Sequence, residues 1–297
     1  MKKSSLIKRA RLASLVNLIA QSGIIVTGAI VRLTGSGLGC PTWPNCAPGS
    51  LVPVASQVEG FHKFIEFGNR LLTFVVLLAS VAVLLIAVFS KIKKIIIWST
   101  LPLIGTLLQA VLGGITVLTG LNPFTVMSHF LLSIILVAIS TMIYKFWTIS
   151  KPTKISSTLI KNYIKFFSLI GFIVIVLGTI TTGSGPHSGD EIAARFNIDT
   201  RIIAWIHADS VLLFIGLLIG LIILSRTNQE LKSLSKNLNT LFILCIVQGF
   251  IGYTQWFTNL PWVLVGFHVL GSVLIWINLI VIFEKSIYSL KNRIKQI

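Results

Sequence analysis

The chain has 297 residues, 54% of them hydrophobic and 11% charged, with a mean hydropathy of +0.91. A soluble domain carries about 25% charged residues, so this composition excludes a water-soluble globular protein and indicates a polytopic membrane protein. The net charge of +17 and pI of 10.2 would suit nucleic acid, but the basic residues flank apolar runs and form no DNA-binding arm.

Eight apolar spans follow in chain order, at roughly 12–31, 66–89, 95–118, 125–146, 163–182, 203–225, 239–258 and 262–283, each near the ~20 residues that cross a bilayer as a helix. Met1 to Arg11 reads as a basic flank to span 1 rather than a cleavable signal, because no small-residue cleavage site follows the apolar run. Twenty of the twenty-five Lys and Arg lie before span 1, between spans 2–3, 4–5 and 6–7 or at the span ends that border those gaps (Lys145 and Lys165), and in the tail. Arg32, Lys63, Arg70, Arg195 and Arg201 lie on the opposite side. The positive-inside rule then places both termini in the cytoplasm, with the chain in the plasma membrane. The surplus charge reports this topology and adds some attraction to anionic lipid.

Span 1 leaves through Thr34-Gly35-Ser36-Gly37 into a first outer loop that runs to His62 and contains Gly37-Leu38-Gly39-Cys40-Pro41-Thr42-Trp43-Pro44-Asn45-Cys46. Two prolines stiffen this string as a lid. The outer face is oxidising, so a Cys40–Cys46 disulfide is expected, with two reduced thiols as the alternative. Cys245, in span 7, reads as a small buried apolar residue.

Span 2 opens with Glu66-Phe67-Gly68-Asn69-Arg70. A carboxylate, an amide and a guanidinium within one turn of a lipid-facing segment are costly and therefore functional suspects. A snorkelling cluster without chemistry is the alternative. His62 stands seven residues before Asn69. Spans 4, 6 and 8 carry His129, His207 and His268, each five or six residues past the outer boundary, which is about 8–9 Å of helix. In the third outer loop His187 reads as an exposed residue, and Asp190 to Arg195 as a short surface helix.

The halves repeat. Thr182-Gly183-Ser184-Gly185 ends span 5 as Thr34 to Gly37 ends span 1. Gln109 precedes His129 by 20 residues, and Gln248 precedes His268 by 20. Asn69 stands 40 residues before Gln109, and His207 stands 41 before Gln248. Asn69 therefore holds the place in the first half that His207 holds in the second. The expected architecture is all-α: eight transmembrane helices as two parallel-repeat four-helix bundles, 1–150 and 151–297. Two histidines at equal depth on facing helices suit the two axial positions of a haem. A hydrogen-bonded polar residue between helices is the alternative for each His alone. Zinc would want more ligands than the few Cys, His and acids supply.

With these residues in view the sequence resembles the haem A synthase family, through Thr34 to Cys46, Glu66 to Arg70, and His129, His207 and His268, over nearly the whole chain. The resemblance implies an oxidoreductase that converts a methyl group of haem O to the formyl of haem A, with water as oxygen source. It implies a haem b cofactor in the second half on the iron ligands His207 and His268, and a substrate site in the first half with His129, Asn69, His62 and Arg70. Glu66 is then the expected catalytic group, stabilising positive charge at the methyl and taking a proton from attacking water, while contributing little to the fold. Arg70, and Arg32 at the outer rim, are expected to hold haem propionates. A haem O synthase in the membrane is the implied donor of substrate. The electron acceptor stays open, and a homo-oligomer is compatible. Many members have His where Asn69 stands. The Asn form resembles an actinobacterial-type branch, and leaves either His129 alone on the substrate iron or His62 reaching in from above. Many members also carry a second cysteine pair in the third outer loop, which is absent here. A di-haem electron-transfer cytochrome and a parallel-repeat transporter are the competing readings. The transporter predicts polar groups near the midplane, whereas those here cluster near the outer boundary.

Overall fold

A computed structural model describes residues 3–148, 153 and 155–287. The basic residues Lys2, Lys151, Lys154, Lys291, Arg293 and Lys295, used above to assign sides, lie outside that range. Eight long helices are present: α1 Lys3–Leu33, α2 His62–Ser90, α3 Lys93–Leu118, α4 Pro123–Trp147, α5 Thr158–Ser184, α6 Thr200–Thr227, α7 Ser235–Phe257 and α8 Trp262–Ser286. All eight are long and apolar enough to cross a membrane, as expected from the apolar runs. Among the described residues there is no strand, only a single antiparallel bridge between Ala47 and Ser50 in the first outer loop.

Local chemistry sets the helix ends. Asn122 caps α4 by accepting from Phe124 N, with Pro123 in the first turn where its missing N–H costs nothing. Ser157 caps α5, and Asp199 caps α6 through Arg201 N and Ile202 N. Lys91, at φ 58°, closes α2 in the left-handed region.

The helices close into two rings. In the first, α1 packs on α2, α2 on α3, α3 on α4, and α4 returns to α1; α5 to α8 close in the same way. The rings meet along α4 and α8, flanked by α1 against α8 and α4 against α5. The most apolar stretch of α4 is 39% buried against 17% for that of α7, so α4 is central and α7 peripheral. Leu71, Phe74, Val75, Leu78, Leu85 and Phe89 of α2 are exposed, the outward apolar surface that a bilayer requires of a spanning helix. Between helices, buried polar groups pair with one another. Asn17 donates to Ser140 Oγ and accepts from Ser80, and Gln21 donates to Thr106. At the surface between the α4–α5 and α6–α7 connections the Ser156 hydroxyl and amide both donate to Glu230 and hold its carboxyl below the usual range.

Two expectations for the third outer loop are corrected. Residues 190–195 form a turn followed by irregular chain, not a helix. Asp190 Oδ1 accepts from Ile192 N, satisfying the backbone locally in place of a helical turn. His187 is half-buried rather than exposed, and its Nε2 pairs with the Leu260 carbonyl at 2.8 Å, tying this loop to the α7–α8 connection. Cys245 is 3% exposed, a buried apolar residue as expected.

Trp276 of α8 donates from its indole nitrogen to the Ile134 carbonyl of α4 at 2.9 Å and is 7% exposed. Trp276→Phe keeps most of the volume and loses the hydrogen bond, so it should cost about 1 kcal/mol. Trp276→Ala also leaves a cavity between the rings and should cost about 3–5 kcal/mol. Thermal unfolding in detergent should separate the two variants clearly; equal midpoints would show that the indole's volume does not hold the rings together.

Candidate functional site

Glu66 and Arg70 lie one turn apart on α2. Glu66 is 5% exposed, and a carboxylate at that depth needs partners. It has two. Oε2 accepts from Cys40 N at 2.6 Å, and Oε1 accepts from Arg70 Nε at 3.1 Å and NH2 at 2.6 Å. The guanidinium's remaining donors reach the first outer loop. NH1 donates to the Thr42 and Asn45 carbonyls, both at 3.0 Å, and NH2 donates to the Cys40 carbonyl at 2.6 Å. A guanidinium has five N–H donors in a fixed fork, and all five are matched by these acceptors. The expected role of Arg70 as a propionate donor therefore does not fit this arrangement; Arg70 is the pin of the loop. Likewise Glu66 is part of the fold's outer anchorage, contrary to the expectation that it contributes little to it.

The loop so pinned is covalently closed. Cys40 and Cys46 form a disulfide, and both residues are fully buried. Its Trp43 ring lies against α3 at Gly114, where a Cβ would fall 2.5 Å from the indole. Lys63, 6% exposed, donates to the Val54 carbonyl at 2.8 Å and fixes the loop's return. Sequence reasoning missed both roles. The adjacent Gly113-Gly114 pair was the available signal for Trp43; for Lys63 the partner is a backbone carbonyl and leaves no pattern.

Four helix pairs share one packing device. Each places a polar side chain of an even-numbered helix against a glycine of the preceding helix. A Cβ on Gly113 would lie 3.2 Å from His129 Cε1, one on Gly178 3.2 Å from His207 Cε1, and one on Gly252 3.4 Å from His268 Cε1. In the fourth pair a Cβ on Gly28 would lie 3.8 Å from Asn69 Nδ2. Asn69 also accepts from Thr27 Oγ1 at 2.8 Å. Gln109 Nε2 donates to the His129 carbonyl at 2.9 Å, and Gln248 Nε2 to the His268 carbonyl at 2.7 Å. Each Gln thus clamps the backbone under its histidine.

The His207 and His268 ring centroids are 6.5 Å apart with planes at 74°. Two imidazoles whose nitrogens each lie about 2 Å from a shared metal hold their centroids roughly 6 Å apart. The Nδ1 atoms of His129 and His268 are buried without a hydrogen-bond partner, so these two rings are not explained as satisfied structural polar groups. These residues fit axial ligation of a haem iron. Among the described residues no group of three or more His, Cys, Asp and Glu could hold a metal ion directly.

His62 is not part of this constellation. It is exposed at the start of α2, and its Nδ1 pairs with Ser36 Oγ at 2.8 Å. Arg32 donates from NH2 to the Thr182 carbonyl at 2.6 Å, linking α1 to α5, while its Nε is buried without a partner. It lines a small cavity with Leu121, Pro123, Val126, Gly183, Ser188 and Ala194.

Comparison with known proteins adds to this geometry. The COX15-CtaA family, described as cytochrome oxidase assembly protein, matches residues 11–189. The chain belongs to this family. It is 33% identical over 108 residues to a protein named heme A synthase from Geobacillus thermodenitrificans, 36% of this chain and 32% of the relative. It is 36% identical over 118 residues to the heme A synthase of Lysinibacillus sphaericus, 38% of this chain and 36% of the relative. A third relative of the same name, from Bacillus pumilus, is 35% identical over 132 residues, covering 42% and 40%. The matched stretches thus span about a third to two fifths of those relatives' length. His207 and His268 lie beyond the family-matched residues, so their pairing rests on geometry.

Arg70→Gln should strand Glu66 as a buried carboxylate with one partner, at a cost of about 3 kcal/mol. Arg70→Lys keeps the charge but offers three donors in place of five and should cost less. Timed alkylation in a mild, impermeant reductant should find Cys40 and Cys46 opening fastest in Arg70→Gln, then Arg70→Lys, then the unaltered protein. Equal rates in all three would show that the guanidinium does not hold the loop.

Proposed function

We propose that the protein is a haem A synthase, which oxidises a methyl substituent of haem O to the formyl of haem A. Per methyl, one water supplies the oxygen, and four electrons and four protons leave. The observation that carries this reading is an asymmetry between the halves. One half pairs two imidazoles at 6.5 Å. The other offers a single imidazole, His129 on α4, and a carboxylate, Glu66 on α2, that is fixed by Cys40 N and Arg70. Membership of the COX15-CtaA family and the names of the relatives support the same reading.

In this proposal residues 1–150 form the substrate half and residues 151–297 the cofactor half. His207 and His268 hold haem b, which when bound supplies one-electron redox chemistry. His129 ligates the substrate iron. Glu66 stabilises positive charge developing at the methyl and accepts a proton from the attacking water. The disulfide-closed loop, with Trp43 wedged against α3, excludes bulk water from that place. The distribution of Lys and Arg supports a plasma-membrane protein with cytoplasmic termini, fed by a haem O synthase in the same membrane.

Purified protein should show a b-type absorption spectrum, and extraction should yield haem b together with traces of O- or A-type haem. Haem b alone, with no conversion of added haem O, would identify an electron-transfer cytochrome instead. His207→Ala or His268→Ala should each remove most of the b-type absorption.

Glu66→Gln should leave that absorption in place, because the second-half haem is held by other helices. The amide can still accept from Cys40 N or Arg70, so the loop should stay closed to alkylation. Conversion of haem O should fall by about 10²-fold or more. Near-normal haem A production by this variant would remove Glu66 from the chemistry.

A further inference from the structure

The four glycine-notched positions are not equivalent in what they offer iron. Three present an imidazole, the ring that suits iron. The fourth presents Asn69, whose amide nitrogen has no lone pair for a metal and whose Oδ1 already accepts from Thr27. Among the described residues no acceptor lies opposite its Nδ2. The Gly28 notch is also looser, at 3.8 Å against 3.2–3.4 Å for the three histidine notches.

Among the described residues no other histidine, and neither Cys40 nor Cys46, is free to complete a pair with His129. The chain has five histidines. His207 and His268 face each other, and His187 is engaged with the Leu260 carbonyl. His62 is tied outward to Ser36, seven residues and therefore about 10 Å of helix above Asn69. Cys40 and Cys46 are consumed in a disulfide, and Lys63 donates to Val54.

We propose that the first half binds its haem through one axial ligand, His129, and that the opposite face is an open coordination position for a small exchangeable ligand, with Asn69 Nδ2 as its hydrogen-bond donor. This rests on the reading of the first half as a haem O site. Thr27 occupies Oδ1 by donating to it, which leaves Nδ2, beside the Gly28 position, as the donor the amide has to offer. The polarity, donors and steric access of a haem's open face decide what binds there. A short amide leaves room that an imidazole would fill. The position therefore takes small neutral or anionic molecules of two or three atoms, water among them, and excludes bulky ones.

The test uses the full-length protein carrying its own haem b, loaded with haem O. The pyridine haemochrome spectrum counts the two haems separately. Carbon monoxide is then added to the reduced protein. The expected result is one carbon monoxide per haem O, with haem b unreactive because both its axial positions are filled. Asn69→His should convert the haem O signal to low spin and weaken carbon monoxide binding at least tenfold. Asn69→Ala should still bind carbon monoxide but shift its C–O stretching frequency through loss of the donor. Haem O bound in a six-coordinate, carbon monoxide-inert state would overturn the open position while leaving the substrate site intact; recovery of binding in His62→Ala would then name the second ligand. An unshifted C–O stretch in Asn69→Ala would overturn the donor role. Failure to retain haem O at all would overturn the reading of the first half, and this inference with it.

Discussion

The outer end of the first half depends on one guanidinium. Arg70 stands near the start of α2, a helix long and apolar enough to cross a membrane, and every buried donor left unmatched there is costly. Its five N–H groups meet five acceptor contacts: two to Glu66 Oε1 and one each to the carbonyls of Cys40, Thr42 and Asn45. Those three carbonyls come from one short ring closed by the Cys40–Cys46 disulfide. The ring presents them as an arc that the planar fork can fill, while Glu66 balances the charge and takes the Cys40 amide. Carboxylate, guanidinium and lid are a single hydrogen-bonded unit. Trp43 carries that unit across to α3 at Gly114, beside the glycine against which His129 packs. The position of the carboxylate and the position of the imidazole are therefore set by connected contacts rather than independently.

Beneath the lid the recurring constraint is steric. A polar ring between apolar helices must be held at a fixed azimuth, and the hydrophobic effect does not do this, because lipid and core are equally apolar. Missing Cβ atoms do it instead. Gly113, Gly178 and Gly252 each admit the Cε1 edge of an imidazole to within 3.2–3.4 Å of where a Cβ would stand. Gln109 and Gln248 fix the same histidines from below through their carbonyls. Depth comes from helix register, azimuth from the notch, and backbone position from the glutamine.

How much of this was legible in the sequence follows from the range of the interactions. Apolar runs of bilayer length gave all eight helices, and the matched spacings of Gln109 to His129 and Gln248 to His268 gave the equivalent positions. The disulfide was legible because the pair stands close in sequence on one face. What was not legible lies in bonds to backbone carbonyls distant in sequence. Arg70 to Thr42 and Asn45, Lys63 to Val54, and His187 to Leu260 join residues between which no side-chain pattern runs. A carbonyl has no sequence identity, so a cation reaching one looks like a free cation, and Arg70 reads as a ligand donor when it is a fastener. The turn at 190–195 has the same cause: Asp190 serves its own backbone instead of capping a helix.

The two outer surfaces differ in a way that bears on their proposed tasks. The first loop is closed covalently, and its lid contacts the helices through a charged pair and an indole. The third loop has no cysteine and is held by single bonds, His187 to Leu260, Arg195 to Pro186, and its Gly189 carbonyl accepting from Gly37 N. A resident cofactor with both axial positions filled by protein needs little from its cover, because the ligands themselves hold it. A substrate held by one imidazole must be positioned by its surroundings, and its reacting carbon must be kept at a fixed carboxylate. Rigid anchorage is therefore worth most over the half proposed to hold the substrate. That is where the chain places its disulfide, a buried ion pair and the only loop tryptophan among the described residues that is seated against a helix glycine.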